Sequence, residues 1–152
     1  MKNIMMKIAI LFLVPAVFSC ASGNAATSNV PFSEVQGKDW SLAEVKSGNN
    51  TVSIDRTNGA KEAFTLRFST DRLNGTAAPN TYFAPYTVGE NHALSIGMVA
   101  GTLMAPLFER EDLKEHEYYG YLGKVNRWDL RNGKLELYTS AENGSQVTLI
   151  FN

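Results

Sequence analysis

Few side chains in this sequence are equipped for covalent or acid–base chemistry, and the best placed is Cys20, the only cysteine. It closes the stretch Val17-Phe18-Ser19-Cys20, which follows the basic Lys2 and Lys7 and the apolar run of residues 8–14. A basic start, an apolar run and then small residues make the layout of a secretory signal, and the run is too short to span a bilayer comfortably. A thiol exposed where such a signal is cut can be acylated before cleavage, whereas a free thiol in an oxidising compartment is a liability. Phe18 is bulkier than the small residue usual two places before such a cysteine. The expectation is a lipoprotein signal peptide over residues 1–19 and acyl chains of the palmitate kind on Cys20. Several such chains anchor a protein to a membrane where one would not. The bland alternative is an ordinary signal cut near Ala26.

The remaining catalytic inventory is thin. His92 follows Gly89-Glu90-Asn91 in what reads as a hairpin turn, where an exposed, idle ring is the simplest expectation. No Gly-x-Ser-x-Gly stretch offers a strained nucleophile, and no glycine loop is built to cradle phosphate. Asp112 and His116 stand four apart and would share a helix face, but two ligands are too few for a zinc site. Glu109, Glu111, Asp112, Glu115 and Glu117 read more simply as a solvated acidic face relieved by Arg110 and Lys114. No catalytic residue, metal or cofactor is expected, and nothing argues for an enzyme. Aromatic residues are more plentiful. The uncharged stretch Asn74–Tyr86, NGTAAPNTYFAPY, holds Tyr82, Phe83 and Tyr86, and further along come Tyr118, Tyr119, Tyr121 and Trp128. Asn80, Tyr82 and Tyr86 form the candidate binding surface. The competing expectation, that the tyrosines fill a core with their hydroxyls paired at its edge, is the stronger one.

These residues need elements to hold them. The 152 residues are one domain's worth of chain, with 14 basic and 15 acidic side chains. Cleavage before Cys20 removes Lys2 and Lys7, leaving 12 basic against 15 acidic, a net charge of −3. That balance gives no electrostatic reason to bind nucleic acid. Residues 20–36 begin with small and polar side chains and read as a flexible tether. Short alternating runs with turn punctuation follow at residues 40–45, 51–54, 64–68, 82–88, 92–96 and 98–104, and again at 125–130, 134–138 and 147–151. Phe64, Leu66 and Phe68 would share an inner face. Asn132-Gly133 and Asn143-Gly144 read as tight hairpin turns. Residues 107–122 have helix formers behind Pro106 and acidic residues near their start, which predicts one helix with Phe108, Tyr119 and Leu122 on one face. The expected fold is α+β: about eight short antiparallel strands in a curled sheet or cracked barrel, with one helix packed against it.

In order and spacing these pieces resemble the META/HslJ-like domain, a family of small envelope or secreted proteins. Its opening Trp-x-Leu strand is matched by Trp40-Ser41-Leu42. Its phenylalanine strand and Gly-x-x-Gly-Cys-Asn-x-Tyr turn correspond to Phe68 and to Gly75 through Pro79, Asn80 and Tyr82, with a second tyrosine at Tyr86. Leu94-Ser95-Ile96, Thr102-Leu103-Met104-Ala105-Pro106, Leu135-x-Leu137 and Leu149-x-Phe151 follow in the family's order. Both positions where many relatives carry cysteine are proline here, Pro79 and Pro106, as expected if those positions are neighbours in the fold. The resemblance implies a domain over residues 37–152, links to envelope stress tolerance or host interaction, and Asn80 shaping the turn with Tyr82 packed behind it. The combined expectation is a lipid-anchored, non-enzymatic adapter bound to the membrane through Cys20 and to an envelope protein partner. A carrier of a small apolar ligand or lipid is the alternative, and an enzyme inhibitor ranks last. Ala21 and Ser22 supply no acidic retention signal, which favours the outer membrane.

Overall fold

The computed structural model describes residues 29–55, 63–106 and 110–152. The expected signal peptide, Cys20 and the expected tether as far as residue 28 lie outside the described residues. Within them the chain forms β1 (Trp40–Ser47), β2 (Asn50–Ser53), β3 (Thr65–Phe68), β4 (Leu73–Ala77), β5 (Asn80–Ala84), β6 (Tyr86–Val88), β7 (Leu94–Ile96) and β8 (Ala100–Gly101). Helix α1 (Glu115–Leu122) precedes β9 (Arg127–Arg131), β10 (Lys134–Ser140) and β11 (Gln146–Phe151). All ladders are antiparallel, so the α+β expectation of a curled sheet with one helix holds.

The main sheet runs β8-β5-β4-β3-β1-β11-β10-β9, with β2 also paired to β1, and it does not close. β6 and β7 make a separate hairpin that rides on β9. Leu94 N–H donates to Asn126 O (3.1 Å) and Trp128 N–H to His92 O (3.0 Å). Because β6 follows β5 after Pro85 alone, this hairpin carries the chain from near one margin of the sheet to the other. The sheet therefore curls around its apolar face. Alternation puts Phe64, Leu66 and Phe68, Leu135 and Leu137, and Val147, Leu149 and Phe151 inside, all buried.

Two short pieces cover the ends of this core. Tyr118 and Leu122 of α1 are buried, and Thr139 Oγ1 donates to Tyr121 O (2.6 Å), fixing the helix to β10. At the other end a 3-10 turn, Phe32–Glu34, puts the Phe32 ring edge-on to Phe68 and Trp128 with centroids 5.0 and 5.1 Å away. Val35 is buried, so the folded part begins before residue 37 and the expected tether stops short of Phe32.

Five local expectations change. The predicted helix over 107–122 starts only at Glu115; residues 107–109 lie outside the described residues, and Arg110–Lys114 is not helical. There Asp112 accepts from the Leu113 and Asp55 N–H groups, an alternative to helix that short acidic side chains offer. Tyr118 with Leu122, four apart, forms the buried face in place of Tyr119. β4 arises where Asn74 and Gly75 read as a turn, and Pro85 splits the predicted strand 82–88 in two because it brings no N–H to a ladder. Asn132 and Gly133 do make a two-residue turn, both with positive φ (53° and 76°). Asn143-Gly144 instead sits inside a longer loop, since β10 and β11 pair only as far as Ser140 and Gln146.

Candidate functional site

β5 carries Asn80 and Tyr82, with Tyr86 opening β6, and the alternation of β5 decides what its residues can do. Asn80, Tyr82 and Ala84 face inward and are buried; Thr81 and Phe83 face out. The Asn80 amide uses both ends. Its Nδ2 donates to Met104 O (3.1 Å) and Glu115 Oε2 (3.0 Å), while Oδ1 accepts from Met104 N–H (2.7 Å) and Thr102 Oγ1 (2.7 Å). Asn80 was expected to shape its own turn. It instead holds the backbone of a segment 24 residues away, and with it the start of α1. The same pairing brings the Pro79 and Pro106 segments together, and Ala78 and Pro106 line one hollow.

Tyr82 lies between two glycines. A Cβ on Gly75 would fall 1.9 Å from Thr65 O and 2.7 Å from the Tyr82 hydroxyl, and one on Gly101 would fall 3.0 Å from the Tyr119 hydroxyl. Tyr82 O–H donates to Thr65 O (2.8 Å), which leaves Tyr118 O–H to donate to Tyr82 across 2.9 Å. Burial pushes the Tyr82 hydroxyl well up, and the neighbouring Tyr118 adds to this; burial also pushes Tyr118 up. Both stay protonated at neutral pH, so neither is a base there. Tyr86 is half-buried: its hydroxyl donates to Ser69 O (2.6 Å) and accepts from Gln36 Nε2 (2.8 Å). Of the three residues of the candidate binding surface, Asn80 and Tyr82 are inside the fold and Tyr86 is fastened by its only polar group.

His92 and Asp112, weighed for acid–base or metal chemistry, are also engaged. His92, expected to be exposed and idle, adopts φ +63° with its side chain 13% exposed, stacked on Trp128 at 4.2 Å. Its Nδ1 lies 3.2 Å from Trp128 O, so the ring pins the β6–β7 hairpin onto β9. Asp112 and His116 do not share a helix face, because α1 begins between them. Burial alone would raise the Asp112 carboxyl, but the Arg110 hydrogen bonds, the Asp55 amide and the Arg110 charge hold it below its ordinary value. Of the expected acidic face, Glu111 and Glu117 are exposed, Glu109 lies outside the described residues, and several members take partners. Asp112 pairs with Arg110, Glu115 with Asn80, and Glu117 accepts from Lys114 N–H.

Apart from Val88 in β6, the exposed large apolar side chains among the described residues lie on the β8 side of the sheet. Met98 is 89% exposed, Leu103 101%, Met104 52% and Phe83 49%. One hollow of about 420 Å³ lies between Leu103, Pro106 and the helix start at Leu113, Lys114 and Tyr119. Another of about 480 Å³ lies on the opposite face, lined by Arg72, Asn74, Thr81, Phe83, Gly101 and Thr102. The tyrosine motif drew attention to β5; the better signal was that residues 91–108 contain no Asp, Glu, Lys or Arg.

Comparison with known proteins agrees with this architecture. A structure of a protein from Burkholderia xenovorans, determined by NMR, has TM-score 0.62 and 18% identity, covering 98% of this chain and 99% of that one. A DUF4847 family protein from Bacteroides vulgatus ATCC 8482 has TM-score 0.53 and 13% identity over 79% of this chain and 94% of its own. At these identities the likeness is one of fold. No curated protein matches the chain. The META domain model matches residues 33–151, from the Phe32 turn through β11, and on that match the chain belongs to the META domain family.

Proposed function

We propose that this META-domain protein is a non-enzymatic adapter of the bacterial envelope, lipid-anchored at Cys20 to the outer membrane, that binds an envelope protein. The observation that carries this reading is the apolar side chains left in water along one margin of the sheet, Met98, Leu103, Met104 and Phe83. Apolar side chains grouped on a monomer's surface mark contact sites more often than isolated ones do. Asn80, Tyr82 and Tyr86 serve that surface from behind, holding β5 and its neighbours in place.

The reading is tested by crosslinking the tagged full-length protein in its own cells, with Cys20→Ser as the unanchored control. One reproducible protein partner, weakened in that control, is expected; no partner above background rejects the adapter. The anchor is tested separately by mass spectrometry, which should find acyl chains on Cys20 of the wild type, with the unprocessed precursor accumulating in the Cys20→Ser variant. A second reading, carriage of a small apolar ligand, is favoured by the hollow beside Phe83. Native mass spectrometry of the purified protein should then show a co-purifying apolar molecule, and a clean apo mass counts against it.

A further inference from the structure

The margin of the sheet at β8 is a strand edge, and its geometry states what kind of partner fits it. β8 pairs with β5 through Gly101 opposite Tyr82 and Ala100 opposite Phe83, and no described strand pairs with its other side. Thr102 N–H donates to Thr81 O (3.0 Å). In an antiparallel ladder the direction of the backbone groups alternates, so Gly101 between Thr102 and Ala100 points its N–H and C=O away from β5. Asn80 continues the pattern two residues on. Its side-chain amide takes both the N–H and the C=O of Met104, as a neighbouring strand would, which turns Leu103 outward like Gly101. The edge thus extends beyond the two residues of β8 and is held straight by one buried asparagine.

Natural sheets blunt such an edge with charge, proline or a cover. Here residues 91–105 offer neither charge nor proline, and Leu103 projects fully into water. The two hollows flank the edge on its two faces, one reached past Leu103 and the other past Thr102 and Phe83. The Tyr119 hydroxyl lies beside Gly101, buried and close to Glu115. We infer that this edge accepts an extended, uncharged segment of the envelope partner as an added strand. The backbone of that segment bonds Gly101 and Leu103, and its alternate apolar side chains enter the two hollows. A flat apolar surface or a lipid bilayer would leave those backbone groups unpaired, whereas a strand satisfies them. This inference rests on the adapter reading and names its surface.

The experiment places a photocrosslinking phenylalanine analogue at Phe83 in the full-length protein in its own cells, and separately at Asn50 on the remote β2. Leu103→Pro is combined with the first: Leu103 is fully exposed, and proline removes the outward N–H while adding nothing to the core. Circular dichroism and the thermal midpoint report that the variant still folds. An adduct from position 83 that falls at least ~10-fold with Leu103→Pro is expected. A synthetic peptide copying the crosslinked segment should slow hydrogen exchange at the Gly101 and Leu103 amides by ~10-fold or more. An adduct from position 50 only, or one indifferent to Leu103→Pro, overturns the edge and leaves the adapter standing. A second copy of this chain, or lipid, as the captured species overturns the stated occupant. No adduct from either position, together with no partner in the general crosslinking, overturns both.

Discussion

Asn80 shows how much can hang on one side chain. Its four hydrogen bonds join β5, the 102–104 segment and α1, and it is 2% exposed. Asn80→Ala should therefore cost about 2–3 kcal/mol, read from the urea midpoint, because buried partners are left unpaired. Asn80→Asp is the sharper variant. It keeps the acceptor toward Met104 N–H but sets a second carboxylate against Glu115, so it should be at least as destabilising at neutral pH. Its stability should recover as the pH falls and the pair gains a proton, since a carboxyl held protonated in the fold stabilises at low pH. Stability indifferent to pH in that variant would mean that Glu115 does not face position 80. The motif marked Asn80 and Tyr82 as structural, but their partners lie 24 and 36 residues away, beyond the reach of local pattern. His92 was missed for a related reason: a polar ring after a turn reads as exposed until Trp128 is placed beneath it.

Strands identified by clean alternation, such as Phe64-Leu66-Phe68 and Leu135-Leu137, needed nothing beyond the sequence. β4 did not show this way, because Asn74 and Gly75 carry turn chemistry and only the packing explains the glycine. The backbone of β3 and the Tyr82 hydroxyl occupy the space a side chain would need. Gly75→Ala should cost about 3 kcal/mol or more, by forcing backbone apart in a filled core. Gly133→Ala, with open space around it but φ +76°, should cost only about 1 kcal/mol. Thermal midpoints of the two variants check the contrast, and comparable losses would mean that β3 and β4 can separate at little expense. The helix boundary was legible only in part: Pro106 and the acidic residues pointed to a start, but the Arg110–Asp112 pair and its hold on Asp55 delay it to Glu115.

At the scale of the whole molecule, the core keeps phenols out of water. Tyr82 and Tyr118 are raised by burial in the core, and Tyr138, half-buried on the outer face of β10 and raised first by burial and then by Glu136, is pushed up to about 12. Each raised group binds its proton more tightly folded than unfolded. Their contribution is therefore fully present below the ordinary tyrosine value of about 10 and is lost as the pH rises from there through the folded values. The urea midpoint should be level near neutrality and fall above about pH 10, and less steeply in Tyr82→Phe, which removes one of the linked groups. A midpoint unchanged at alkaline pH would argue that these hydroxyls reach solvent. The curl of the sheet makes this shared burial: α1 lays Tyr118 against Phe64 and Tyr82, with ring centroids 4.9 and 5.8 Å apart.

The sequence by itself determined the α+β class, most of the strands, the family and the inward face of β3, β10 and β11, because alternation and turn chemistry are local properties. Its motif order sufficed for the family. Only the tertiary structure decided which motif residues face inward, where the helix begins and which strand margin stays open. Each of those depends on a partner distant in sequence: Met104 for Asn80, Tyr118 for Tyr82, Asp55 for Asp112, Trp128 for His92. The open edge at β8 is the clearest case. Its lack of charge is written in the sequence, but whether an uncharged strand lies in the middle of a sheet or at its margin is settled only by what pairs beside it.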